Sequence, residues 1–416
     1  MSDNVYIIGI GMVKFGKFLD RSIKQMTGMV MEGALKDCGL TREDIQAAWF
    51  SNTAWGIYSF QHSIRGQVAL TANGIQAIPI TNVENACASG STALHGAWVS
   101  IKAGLYDCCL AVGAEKLYDE DRAKVMGGFM AGTDVEVMTR AVEALREQEQ
   151  KRREQEAKEK GAQVQEEKAG GHSAFMDFYA AGARGHMQRY GSTQRQLACI
   201  AAKNHNNSTL NPLAQYTFPQ TVEQVMNDRV VSYPLTRAMC APIGDGAAAA
   251  VVVSESFLKK HPTDRAVLIR ASILEGGRRF GSNDVSERAA KRAWAASGMG
   301  PQYVDVMEVH DATAFGEVAA MEGLGFCKPG EGGLIAERGD TALNGKIPVN
   351  PSGGLISRGH PVGASGLAQI FELVTQLRGE AGKRQVAKHR IAMTENGGGT
   401  VGAGEAAMAI HILEKK

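Results

Sequence analysis

The sequence predicts an α/β fold of stacked sheets and helices, and three observations carry that expectation. Short runs rich in Val, Ile and Ala alternate with helical patterns along the chain. Its 49 glycines cluster between those runs, as in GDGAAAAVVVS and ENGGGTVGAGEAAMAIHIL. A weak internal repeat relates the two halves. NACASGSTALHGAWVSIKAG leads into CCLAVGAEK, and GHPVGASGLAQIFELVTQLRG leads into HRIAMTENGGG. Each copy has a reactive type of residue, then Ala-Ser-Gly, an apolar helix and a strand. The repeat supports a duplicated fold whose halves face each other.

The elements follow in order. Strands are expected at VYIIGIGM, CCLAVGAEK, AAAAVVVS, AVLIRASIL, VDVMEVH, HRIAMTENG and EAAMAIHIL. Helices are expected to start near Ser22, Ser89, Thr193, Val285, Gly316 and Gly363, with Thr193 or Ser192 as the cap of the third. Residues 143–168 are dense in Glu, Gln, Lys and Arg and poor in apolar anchors. Pairs such as Glu147 with Lys151 have i,i+4 spacing, worth about 0.3 kcal/mol each. This segment reads as a solvated surface helix outside the core, or as a docking arm. The stretch after it, through NHNNSTLNP, reads as compact helical structure.

Composition narrows the function. A length of 416 residues with 44% hydrophobic and 21% charged residues suits a globular enzyme of two or three domains' worth of core. A net charge of +1 points away from nucleic acid and membrane surfaces. No apolar run is long enough to span a bilayer, and the N-terminus reads as a first strand, with no signal-peptide pattern. Seven cysteines, an odd number without a CxxC pair, fit reduced thiols in a cytoplasm and no metal site. Cys108 and Cys109 lie in a buried-strand pattern and read as core fillers.

Four segments carry candidate chemistry. In VENACASGS, Cys87 precedes a helix start, where the macrodipole lowers a thiol pKa; it reads as a nucleophile or as a buried structural cysteine. In VEVHDATAFGE, His310 and Asp311 end a strand, a position that suits a structural or a catalytic histidine. In NPSGGLISRGHPVGASG, His360 lies among glycines and starts a helix. In MTENGGGTVG, three glycines after a strand offer N–H groups to an oxyanion or form a close-packed turn.

Taken together, these segments resemble the thiolase superfamily in motif, order and spacing over nearly the whole chain. The nucleophile motif matches at Cys87, and GHPxGxSG matches at Gly359, His360, Pro361, Gly363, Ser365 and Gly366. His310-Asp311 replaces the Asn-Glu pair of common thiolases and resembles the sterol-carrier-protein branch. YGSTQRQLACIAAKNHNNSTLNPLAQ resembles that branch's loop domain. Asp245-Gly246 matches a structural turn before the last strand of the first half. The family's second cysteine is absent from both of its usual positions, which here hold Glu395 and Ala312. Glu395 either transfers the proton in its place or is a structural group held by backbone N–H bonds.

The resemblance implies a five-layered α-β-α-β-α fold of two similar halves, 1–260 and 261–416, with a loop domain inserted at about 116–235. It implies Cys87, His360, His310 and Glu395 as catalytic residues. It places one oxyanion hole at the N–H groups of Cys87 and Gly397 and a second at His310 and His360. Coenzyme A is the implied co-substrate, with no covalently bound cofactor, and a homodimer the implied core. The chain looks most like thiolases acting on benzoylsuccinyl-CoA in anaerobic aromatic degradation. Such relatives work with a separate zinc-ribbon/OB-fold subunit. Two other readings compete: an aldolase acting on a hydroxyacyl-CoA, and a non-catalytic acyl-CoA or lipid-binding scaffold. Cys87 argues against the first, and intact Cys87, His310 and His360 oppose the second.

Overall fold

The computed structural model describes residues 4–140, 143, 174–282, 284–402 and 404–416. Nine strands among them share one sheet: β1 Val5–Met12, β2 Ala47–Ser51, β3 Ile80–Val83, β4 Cys108–Glu115, β5 Gly246–Ser254, β6 Val267–Gly276, β7 Val306–Glu308, β8 Ile391–Val401 and β9 Gly404–Lys415. The helices that place the site are α1 Ile23–Cys38, α2 Ser89–Lys102, α3 Ala174–Tyr190, α4 Gln194–Ser208, α5 Val285–Ser297, α6 Ala314–Gly323, α7 Gly354–Arg358 and α8 Ser365–Arg378.

The sheet is two copies of one pattern. Outward from its centre the first half runs β1, β5, β4, β2, β3, and the second runs β6, β9, β8, β7 and a bridge at Val349. In chain order within each half, both read first, fifth, fourth, second, third. The strand senses agree too: the two inner pairings are antiparallel and the two outer ones parallel. Within the sheet, the halves pair through Tyr6 with Leu268 and Ile7 with Val267 among the described residues.

Alternation of side chains sorts the strands into layers. Cys109, Ala111, Ala248 and Ala250 from the first half, with Ile269, Val306 and Ala392 from the second, enclose Leu94 and Ala97 of α2 and Leu367, Ile370 and Leu373 of α8. On the other face of the first half, Phe50, Cys108, Leu110 and Val112 meet Met26, Val30 and Met31 of α1. On the far side of the second half, Ile273, Met393 and Ile410 meet Val285 and Ala289 of α5 and Met321 of α6. The result is α-β-α-β-α, as the resemblance implies. Cys108 and Cys109 face opposite layers as free, buried thiols, the core fillers expected.

The two central helices carry the site because their N-termini touch. A Cβ on Gly90 would lie 3.0 Å from Leu367 N, and one on Gly366 only 2.2 Å from Ser91 Oγ. Side chains there would force α2 and α8 apart. Between β4 and β5 the chain leaves the sheet. Ala180 and Ala183 of α3 and Leu197, Ile200 and Ala201 of α4 form a core with Ala314 and Val318 of α6 and Ile356 of α7. This excursion therefore packs on the second half.

Most element expectations are met, with three differences. Ser22 caps α1 and Thr193 caps α4, each with a reciprocal Gln three residues on. The helix expected near Gly363 begins at Ser365 after a single tight turn, Val362–Ala364, so His360 does not start it. The expected glycine turn after HRIAMTEN is strand: β8 runs through Gly397, Gly398 and Gly399 to Val401, paired with β9. β2 and β3, at AAWFS and ITNV, are strands beyond those expected. Of the charge-rich segment, residues 144–168 lie outside the described residues.

Candidate active site

Cys87 stands in a tight turn between β3 and α2. Ala86 holds φ +46°, a conformation costing about 1–3 kcal/mol that persists only where its surroundings enforce it. Here Ala88 N–H donates to Asn85 O (3.0 Å), Ser89 N–H donates to Ala86 O (3.1 Å), and the Ser89 hydroxyl accepts from Asn85 N (2.8 Å). β8 crosses directly over this turn. A Cβ on Gly398 would lie 2.2 Å from Asn85 O and 2.5 Å from Ala88 N. That close approach, not a turn, is what the glycine run provides.

His360 meets the thiol from the other half. Its Nε2 lies 3.2 Å from Cys87 Sγ, and its Nδ1 lies 2.7 Å from Ser365 Oγ. The Ser365 hydroxyl donates to Pro361 O at 2.9 Å, leaving its oxygen to accept from Nδ1–H. Nε2 then presents a lone pair to the sulfur, the tautomer a base requires. Buried Glu115 anchors the loop by accepting Gly363 N–H at 3.0 Å, together with Thr53 N–H and Ala54 N–H.

His310 lies two residues past the end of β7 and faces His360 edge to face, ring centres 5.2 Å apart. Asn396 Oδ1 accepts from the Ser91 hydroxyl (2.9 Å), so its amide donates to His310 Nδ1 (3.1 Å). The proton of His310 therefore sits on Nε2, and the ring acts as a donor. Ligand-type atoms of Cys87, His310 and His360 all fall within 4.8 Å of one another, the one such group of metal-ligating type found among the described residues. They can converge on a single reacting group. Asp311 points away. It accepts Leu355 N–H (2.7 Å) at the start of α7 and the Asn204 amide (2.7 Å) of α4, tying the excursion to the site loop.

Glu395 on β8 is buried beside them, with Oε2 accepting the His310 N–H at 2.8 Å. Gly397 lies two residues on, on the same face, in register with Met408 of β9. Gly399 N–H faces the Cys87 sulfur.

Burial dominates the electrostatics. It pushes the Cys87 thiol up to about 12, against the Gly399 N–H that favours the thiolate. This shift runs against the lowering expected at a helix N-terminus, because desolvation of a charge opposes the dipole of α2. Burial holds His310 down at about 4 and His360 well below the usual imidazole range. It lifts Glu395 to about 7, with the charge of Glu405 adding to the rise. Thiol, imidazoles and a poised carboxyl thus rest close to neutral in a dry cleft.

The structure brings Cys87, His310 and His360 together and sets the Glu395 carboxylate against the backbone N–H of His310. Sequence reasoning missed Asn396 and Tyr179. Asn396 sits in TENGGG as a polar residue inside an apolar strand, a signal that was legible. Tyr179 on α3 has no motif. Burial raises its phenol far above the usual range, as do Glu405, Cys87, Glu395 and Asp311, which places it over the same cleft.

Comparisons with known proteins agree with this geometry. Residues 5–233 match the family described as thiolase, N-terminal domain, and residues 280–414 match thiolase C-terminal domain-like. An acetyl-CoA acetyltransferase of Methanothermobacter thermautotrophicus is 38% identical, covering 99% of this chain and 100% of that protein. Sterol carrier protein 2 of Bos taurus is 34% identical over 95% of this chain and 70% of its own length. A solved structure titled "Ltp2-ChsH2(DUF35) aldolase" superposes with a TM-score of 0.76 at 20% identity, covering 100% of this chain and 98% of that one; at that identity the likeness speaks for the fold alone. With its layered halves and both family domains in place, the chain belongs to the thiolase family.

Proposed function

We propose that the chain is an acyltransferase that cleaves or forms a 3-oxoacyl-CoA through an acyl-enzyme on Cys87. The observation that carries this reading is the 3.2 Å contact between Cys87 Sγ and the lone pair of His360 Nε2. In the cleavage direction His360 takes the thiol proton as sulfur attacks the 3-oxo carbon. Because the thiol rests protonated, transfer is coupled to attack. The carbon–carbon bond breaks and its electron pair becomes the thioester enolate. His310 Nε2–H and the protonated His360 donate to the enolate oxygen. Glu395 delivers a proton to the enolate carbon. The acyl oxygen on Cys87 is held by the N–H groups of Cys87 and Gly397. Coenzyme A then gives its thiol proton to Glu395, its sulfur takes the acyl group, and Cys87 recovers a proton from His360.

The division into halves 1–260 and 261–416, with the excursion at about 116–235 as a loop domain that helps hold coenzyme A, belongs to this reading. So does a homodimer as the core of the assembly. For the substrate we propose benzoylsuccinyl-CoA, giving benzoyl-CoA and succinyl-CoA, on the likeness of the sequence as a whole. For a partner we propose a zinc-ribbon/OB-fold subunit; the structural relative named above carries a DUF35 component in its title. Incubation with acyl-CoA followed by peptide mapping tests the core of the proposal. The acyl group should map to Cys87, and Cys87→Ser should abolish it. An acyl group on another residue would overturn the assignment. A panel of 3-oxoacyl-CoAs, assayed with and without a candidate subunit, tests substrate and partner.

A further inference from the structure

A second carboxyl lies beside Glu395 without a role in the steps above. Glu405 stands at the start of β9, opposite Thr400 of β8. Its side chain folds back over Gly397: a Cβ at that position would lie 3.0 Å from Glu405 Cγ and 3.8 Å from Glu405 Cβ. Glu395 and Gly397 are two residues apart on one strand and share a face. The space left by the missing side chain of Gly397, next to Glu395, is therefore filled by Glu405. Its Oε2 is buried and meets no hydrogen-bond donor. A buried carboxylate oxygen without a donor is expensive and calls for a reason.

We propose that Glu405 is a positioning residue for the proton of this site: its carboxylate, seated over Gly397, keeps the transferable proton on Glu395. The inference rests on the acid–base role given to Glu395 above. Two neighbouring carboxyls, one buried and one with a buried oxygen, do not both ionise readily. A charge at Glu405 therefore favours the protonated form of Glu395. Cleavage passes that proton to the enolate carbon and leaves the pair with two charges. The incoming coenzyme A thiol restores the proton, and its sulfur leaves as the attacking thiolate. Repulsion within the doubly charged pair favours this second transfer, so Glu405 makes Glu395 the better base exactly when deacylation needs one. The other titratable groups facing the pair are Tyr179 of α3, Cys87 of the nucleophile turn, and His310 and His360. Asp311 lies behind them, its oxygens occupied by Leu355 N–H and Asn204.

The test is the pH profile of α-proton exchange of a simple acyl-CoA in D2O, which needs the basic form of Glu395. Glu405→Gln removes the charge and keeps the shape. The midpoint of the rise should move to lower pH by about one unit, the scale of a neighbouring like charge. Glu405→Ala should shift it in the same direction, and both variants should still form the Cys87 acyl-enzyme, which shows an intact site. A midpoint that stays in place in either folded variant overturns the role of Glu405. If Glu395→Gln fails to slow exchange, the fault lies with Glu395 itself, so the two failures are told apart. Should neither Glu405 variant fold, infrared titration of the wild-type chain decides: Glu395→Gln must remove one carboxylic-acid band that persists to neutral pH, and retention of every such band rejects the protonated Glu395.

Discussion

At Cys87 and Glu395 burial weakens both acids. The thiol sits far above its usual range and the carboxyl well above its own. Alkylation of Cys87 by a neutral reagent should therefore climb with pH through the neutral range without levelling near 7; a plateau at or below pH 7 would show a preformed thiolate. Glu395→Gln keeps size and hydrogen bonding but removes the transferable proton. It should slow carbon–carbon cleavage and α-proton exchange by about 10²–10⁴-fold while leaving acylation of Cys87 by a simple acyl-CoA in place; cleavage at the normal rate would return Glu395 to a structural role. The same substitution has a stability signature. Glu395 titrates at about 7 in the folded chain against an ordinary 4.5. The folded state keeps a proton that the unfolded state releases, so the stabilisation is complete below 4.5 and is lost as pH rises toward 7. Urea denaturation of Glu395→Gln should show a smaller loss across that window than the wild type.

Among the elements, β8 has the tightest tolerances. It supplies Glu395, Asn396 and the glycines that cross the nucleophile turn. Gly398→Ala would drive a methyl into Asn85 O and Ala88 N, both backbone. The expected cost is about 1–3 kcal/mol with displacement of the Cys87 turn, read as a lower urea midpoint together with slower acylation. Unchanged acylation would mean that β8 can move away freely. The loop bearing His360 depends on a buried pair: Arg358 of α7 bonds Glu308 of β7 at 2.9 Å, both fully enclosed. Glu308→Ala strands that guanidinium, a change that costs about 3–5 kcal/mol when one partner of a buried pair is lost. Chemical denaturation reads this directly, and a loss under 1 kcal/mol would show that water reaches Arg358.

On the scale of the whole molecule, the cleft exists only because two copies of one strand pattern close on α2 and α8. Cys87 comes from the first copy, and His310, His360 and Glu395 from the second. The excursion between β4 and β5 reaches across to the second copy through Asn204 and Asp311 and brings Tyr179 over the cleft. Asn204→Ala should thus weaken substrate binding more than it lowers the rate of acylation at saturation, seen as a raised KM at near-constant kcat. A fall in kcat alone would confine Asn204 to the chemistry.

The repeat between NACASGS and GHPVGASG was legible in the sequence because each copy carries the same small residues, and small residues are what two touching helix N-termini require. Cys87, His360 and His310 could be named for a related reason: each lies in a short segment whose glycines and prolines mark close packing around it. The continuous apolar run of their strand likewise assigned Cys108 and Cys109 to the core. The tertiary structure decided the rest. Whether Cys87 rests as thiol or thiolate depends on how completely the second half dries the turn, and no local pattern contains that. The glycines of β8 form strand instead of turn because β9 pairs with them from across a hairpin. Glu405 gains its place beside Glu395 only through that same pairing, which brings residues ten apart in the chain onto one pocket wall.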